Sequence, residues 1–184
     1  MSGIITDNVG RSSGLVKAVE AAGGGVLQVK QAVKNDTESF AGSLTREDIA
    51  DLTLAITPAS ASNEILVSFA VVGSSANDMT FQIECDSSGS YEIISPPDAS
   101  SNRTLTHCGN TSRHISELDT SNMTILDAPA IATEINYKVT TNNGPSGGGT
   151  AYVNRSPNEP SDNANEERGI STLTIMEIAS SVLT

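Results

Sequence analysis

Apolar residues recur at every second position in short runs of this chain, and almost nowhere at the spacing of a long helix. Leu27, Val29 and Val33 fall on one side of the stretch 24–36, GGVLQVKQAVKND, with Gln28 and Lys30 on the other. In the stretch 168–178, RGISTLTIMEI, Leu173, Ile175 and Glu177 face opposite to Thr172, Thr174, Met176 and Ile178. A two-residue period places alternate side chains on opposite faces of a strand, so both ends of the chain read as strands.

The same period fills the middle. Leu52, Leu54 and Ile56 alternate with Thr53, Ala55 and Thr57 until Pro58 stops the run, and Thr45-Arg-Glu-Asp48 offers a helical turn ahead of it. Ile65–Val72 is nearly continuous in β-formers, which predicts a strand in mid-sheet with both faces covered. Met79, Phe81, Ile83 and Cys85 share a face; Asp86-Ser-Ser-Gly-Ser then turns the chain and Tyr91–Ile94 returns it as a hairpin. Leu105–Cys108 and Ile115–Leu118 read as weaker strands, Met123–Leu126 and Ile135–Thr141 as stronger ones, and Ala151–Asn154 as a short one after the Gly-rich turn NNGPSGGG. Short strands at turn spacing predict an all-β fold, an antiparallel β-sandwich.

Residues 1–25 read differently. Gly3, Gly10, Gly14 and the triplet Gly23-Gly24-Gly25 interrupt every apolar period there, so this segment is expected to be an arm, with a short helix at Leu15–Ala22 inside it. The sandwich domain is then 26–184. At 184 residues one core is expected, burying roughly 70% of the surface of the unfolded chain. With no Trp, three Tyr and three Phe, that core has few large side chains, and contacts between subunits would supply further burial.

The net charge of −12 sets the chain against phosphate backbones, and the ten Lys and Arg are scattered, so nucleic acid is not expected as a partner. The opening residues lack a basic leader followed by an apolar run, and no segment is long and apolar enough to span a bilayer, so neither a signal peptide nor a membrane is expected. Cys85 and Cys108 then read as reduced thiols.

No catalytic, cofactor or metal site emerges from the residues. His107 and His114, with Cys85 and Cys108, invite zinc, but no Cys-x-x-Cys or paired-His spacing is present. Asp78, Asp86, Asp98, Asp119, Asp127 and Asp162 sit beside turns without the regular spacing of a calcium loop, and read as solvated turn residues. Gly147-Gly148-Gly149 lacks the Lys and the helix of a phosphate loop. A paired-carboxylate hydrolase would need a groove with aromatic walls, and Tyr91, Tyr137 and Tyr152 are too few and too strand-like to build one.

Three segments, VLQVKQAVKNDT, ITPASASNEILVSFAV and AYVNRS with ERGISTLTIMEIA, resemble the small β-rich virion proteins of tailed bacteriophages, abundant in phages of marine and freshwater bacteria including cyanobacteria. The opening SGIITDNVGRSSGLVKA resembles the attachment arm of such proteins, and residues 86–122 are the least similar part. The resemblance implies a jelly-roll-like sandwich of the C1q and tumour-necrosis-factor type, made in the host cytoplasm, assembled as a homotrimer and attached to the particle by its arm. It implies no enzyme and no cofactor. Two placements follow. As a capsid decoration or cement protein, the trimer would brace the major capsid protein; as a tail or head fibre tip, it would offer loops 86–91, 96–104 and 155–168 to a host-surface glycan. Brevity favours the first.

Overall fold

The computed structural model describes residues 25–75, 78–99, 101–110, 117–144, 149–157 and 167–180. Every named element among them is a strand: β1 (Val26–Lys34), β2 (Glu38–Phe40), β3 (Glu47–Ile56), β4 (Glu64–Ser75), β5 (Met79–Cys85), β6 (Glu92–Ile93), β7 (Cys108–Asn110), β8 (Asp119–Asp127), β9 (Ile135–Asn143), β10 (Ala151–Val153) and β11 (Ser171–Ile178). They form two antiparallel sheets packed as a jelly-roll-like sandwich. One sheet runs β1-β11-β4-β10-β2 with β8 also on β4, and the other runs β3-β9-β5-β6 with β7 also on β5. The expected arm up to residue 24 with its helix at Leu15–Ala22, the turn at 145–148 and the first half of the expected strand Ile115–Leu118 lie outside the described residues; Glu117 and Leu118 are in no strand, and β8 begins only at Asp119.

β4 organises the first sheet. β11 pairs with it over Glu64–Ala70 and β8 over Ile65–Gly73, and since both run along the same stretch they occupy opposite edges. The continuous apolar run therefore lies in mid-sheet as expected. Its two faces differ, however: Ile65, Val67, Phe69 and Val71 are buried, while Leu66, Ser68, Ala70 and Val72 are only half-buried. A two-layer sandwich covers one face of each sheet, so the expectation of two covered faces is corrected.

The facing sheet contributes Met79, Phe81 and Ile83 from β5, Ile135, Tyr137 and Val139 from β9, and Ile49, Leu52 and Ile56 from β3, all buried. Phe69 and Phe81 meet across the gap with ring centroids 6.3 Å apart. The hairpin of β5 and β6 forms with Glu84 opposite Ile93, turning at Gly89, whose φ of 91° suits a residue without a Cβ. The expected helical turn at Thr45–Asp48 is absent: Glu47 and Asp48 already pair with Thr141 and Thr140, and a bulge follows before Thr53, with Asp51 left-handed at φ 63°. The bulge breaks the alternation there, so the sequence pattern starts at Leu52 although Ile49 is equally buried. Of Leu105–Cys108, only Cys108 lies in a strand.

Polar side chains fasten the ends of the sandwich. Tyr137 on β9 donates to Asp127 on β8 at 2.7 Å, linking the sheets, and burial beside that carboxylate pushes the phenol pKa far up. Asn143 on β9 accepts from Ser75 on β4 and donates to the carbonyls of Phe40 and Gly149. Asn154, fully buried and left-handed at φ 62°, donates to the carbonyls of Lys34 and Asp36 and accepts from Ser171. It stitches the break between β1 and β2 to the break between β10 and β11.

Truncating Phe69 to Ala removes the central ring contact and leaves a cavity. The expected cost is about 3–5 kcal/mol, read as a lower urea midpoint at unchanged slope. A loss below about 1 kcal/mol would mean that the core does not depend on this contact.

Candidate interaction surface

The outward faces of the two sheets have opposite chemistry. On the β3-β9-β5-β6 sheet the face is a polar network. Lys138 Nζ lies 2.6 Å from Asp48 Oδ1, 3.6 Å from Glu84 Oε2 and 3.9 Å above the ring of Tyr91. Glu84 also accepts from Gln82 Nε2 and Thr140 Oγ1, while Thr80 donates to Asn142. The paired carboxylates raise the Lys138 pKa against the desolvation that lowers it. These groups partner one another.

Of the residues weighed above for metal or nucleophilic chemistry, His107, Asp86 and Asp127 have structural work. The ring of His107 accepts at Nδ1 from the Ile83 amide at 3.0 Å and donates from Nε2 to the Ile94 carbonyl at 2.8 Å, which fixes it as a neutral tautomer clipping β5 to the segment after β6. His114 and Asp162 lie outside the described residues. Cys85 is buried and Cys108 half-buried; both are free thiols. Cys108 pairs opposite Phe81, four positions along β5 from Cys85 and so about 13 Å away. Burial raises the Cys108 thiol pKa, which disfavours the thiolate. Asp86 accepts from the backbone and side-chain nitrogens of Asn136, and these bonds hold its carboxyl below the ordinary range. Among the described residues no three His, Cys, Asp or Glu come close enough to hold a metal ion.

Tyr91 is exposed beneath Lys138, Tyr137 is buried, and Tyr152 stacks under Arg155 at 4.1 Å. The three do not gather on one surface.

The outer face of the β1-β11-β4-β8 sheet is the reverse. Pairing aligns Val29, Met176, Leu66 and Leu126 in one apolar row across four strands. Beside it run Gln31, Thr174, Ser68 and Thr124, in which Gln31 donates to Thr174 and the Ser68 and Thr124 hydroxyls share a hydrogen bond. Next comes Val33, Thr172, Ala70 and Asn122. At the other end Val26 pairs with Ile178 and Ile178 with Glu64, the one charged residue of these rows. Val26, Leu27, Val29, Val33 and Leu126 are each more than 40% exposed.

The alternation in β1 thus has the polarity opposite to that of a core strand. A bulge at Leu27 sets the register so that the valines point outward, while Gln28 turns in to Glu177 and Lys34 is buried against Asp36 and Glu38. Glu177, fully buried, also takes hydrogen bonds from the Ala59 amide and Asn63, which hold its carboxyl pKa down although burial alone would raise it. Nothing in the local sequence announces this inversion, because the partner that draws Gln28 inward, Glu177, lies on β11.

No family model and no curated protein matches this sequence. Among solved structures, the chain is similar to one described as the infectious bursal disease virus VP2 subviral particle, at 14% identity over 85% of this chain and 35% of that one, with a TM-score of 0.40. It is also similar to a structure of the infectious bursal disease virus Gt strain, at 14% identity over 84% of this chain and 38% of that one, with a TM-score of 0.32. The chain spans little more than a third of the length of the chains it matches. Overlap this loose does not bear on function.

The state of His107 makes a pH prediction. Burial first, and then the nearby Arg46, hold its pKa below the ordinary histidine value of 6.5, against the opposing bond to Ile94. The unfolded chain therefore takes up a proton near pH 6.5 that the folded chain refuses until lower pH. Stability from this group is present above about pH 6.5 and is lost as pH falls toward the folded value. Urea midpoints between pH 7.5 and 5 should fall more steeply for the natural chain than for His107→Gln; equal slopes would remove the neutral clip.

Proposed function

We propose that this chain is a non-enzymatic structural protein of a virion: a homotrimeric decoration protein that sits on the head shell of a tailed bacteriophage, contacts the major capsid protein through residues 1–25, and braces neighbouring capsid subunits. The supporting observation is the division of chemistry just described. The polar face is occupied with its own hydrogen bonds, while the outer face of the β1-β11-β4-β8 sheet of an acidic molecule is left neutral, with an apolar row across it and Glu64 its one charge, as suits a protein whose task is to be packed against others. The resemblance of the three strand segments and of the opening segment to small phage virion proteins points the same way. The protein is made in the host cytoplasm and joins the particle there.

Immunogold labelling of intact virions tests the placement. Gold spread over the head is expected; gold confined to the tail would replace this reading with a fibre tip that presents loops 86–91, 96–104 and 155–168 to a host glycan. Deleting residues 1–24 is expected to leave a folded protein, with an unchanged circular dichroism spectrum, that no longer binds particles. Full particle binding by the truncated protein would overturn the attachment role of the arm.

A further inference from the structure

We infer that the outer face of the β1-β11-β4-β8 sheet is the surface on which this chain meets a second copy of itself. The inference rests on the self-association in the proposed function, but not on the virion placement or on the number of copies that associate.

Three observations favour a copy of this chain as the occupant. The first is charge. A molecule with net charge −12 repels its own copies over most of its surface. The rows on this face carry Glu64 alone as a charged residue, at one end, so two copies can approach here with little Coulombic cost. A basic or polyanionic partner would instead be met by fixed charge, which this face lacks.

The second is chemistry. The row of Val29, Met176, Leu66 and Leu126 gains by leaving water, and the adjoining row is hydroxyl and amide groups that already bond to one another, through Gln31 with Thr174 and Ser68 with Thr124. Such a surface needs no complementary charge from the other side, only another neutral surface, and every copy brings one.

The third is size. Four strands at a spacing of about 4.8 Å, over the eight residues of β11 at about 3.4 Å each, present roughly 500 Å². Covering that area on both partners buries about 1,000 Å² in total, the lower bound for a specific interface.

The test compares the full chain with Val29→Lys and Leu126→Lys, and with Ala50→Lys, an exposed position on the other sheet, as control. Val29 and Leu126 are 56% and 41% exposed, so either lysine can be solvated in an isolated chain. Mass is read by light scattering across a concentration series, and fold by circular dichroism. The natural chain and the control are expected to be oligomeric. The two face variants are expected to be folded and to associate about 100-fold more weakly or not at all.

Oligomers that survive both face substitutions unchanged overturn the inference and leave trimerisation to another surface. A natural chain that is monomeric at every concentration overturns the inference and the proposed trimer together. A natural dimer dissociated by the face variants supports the inference and overturns the trimer. Should a lysine variant lose its β-sheet spectrum, Val29→Thr and Leu126→Thr, which suit a strand, take its place with the same readout.

Discussion

The whole sandwich depends on two inner faces meeting with few large side chains between them. Phe69 and Phe81 touch across the gap at 6.3 Å, and around them Val67, Val71, Ile83, Val139, Leu173 and Ile175 supply smaller, branched volume. The β-branched side chains among them are stiff at χ1 and pack closely on a pleated surface, so a core built largely from them needs regular alternation more than bulk. Where alternation holds, in β4, β5, β9 and β11, burial is nearly complete. Where strands end, after β1, β2, β9 and β10, polar pins take over.

Those pins explain how so many Asn, Ser and Thr can occupy buried sites. Asn143, Asn154 and Ser171 are buried with their hydrogen-bonding groups engaged, often by backbone carbonyls that a strand break leaves unpaired. A buried amide that met no partner would cost about 1–3 kcal/mol, so these residues are fixed by the breaks they close. The buried Lys34 follows the same logic, with Asp36 at 2.8 Å and Glu38 at 3.2 Å meeting its charge at the end of β1.

Much of this architecture was legible in the sequence. The hairpin after Cys85, the alternation of Ile135, Tyr137 and Val139, and the inward set of Leu173, Ile175 and Glu177 follow from period and turn chemistry alone, because each is a local property of six to ten residues. The orientation of β1 was not legible. Val29 and Val33 share a face as the period requires, but whether that face points to the core is decided by the β11 register and by Glu177, far away in sequence. His107 escaped for a similar reason: its two partners, Ile83 and Ile94, are backbone groups, and backbone carries no sequence signature.

The inversion of β1 also explains the distribution of charge. An acidic excess spread evenly would place carboxylates on every outward strand position, yet the outward positions of β11 are Thr172, Thr174, Met176 and Ile178, and those of β8 are Thr120, Asn122, Thr124 and Leu126. On the opposite sheet, Glu84 and Asp48 are outward and need Lys138 between them. Threonine and asparagine keep the neutral face wettable while the chain is alone and cost little desolvation when it is covered, whereas carboxylates would do the first and forbid the second. A face composed in this way keeps the isolated chain compatible with water without closing the surface to association.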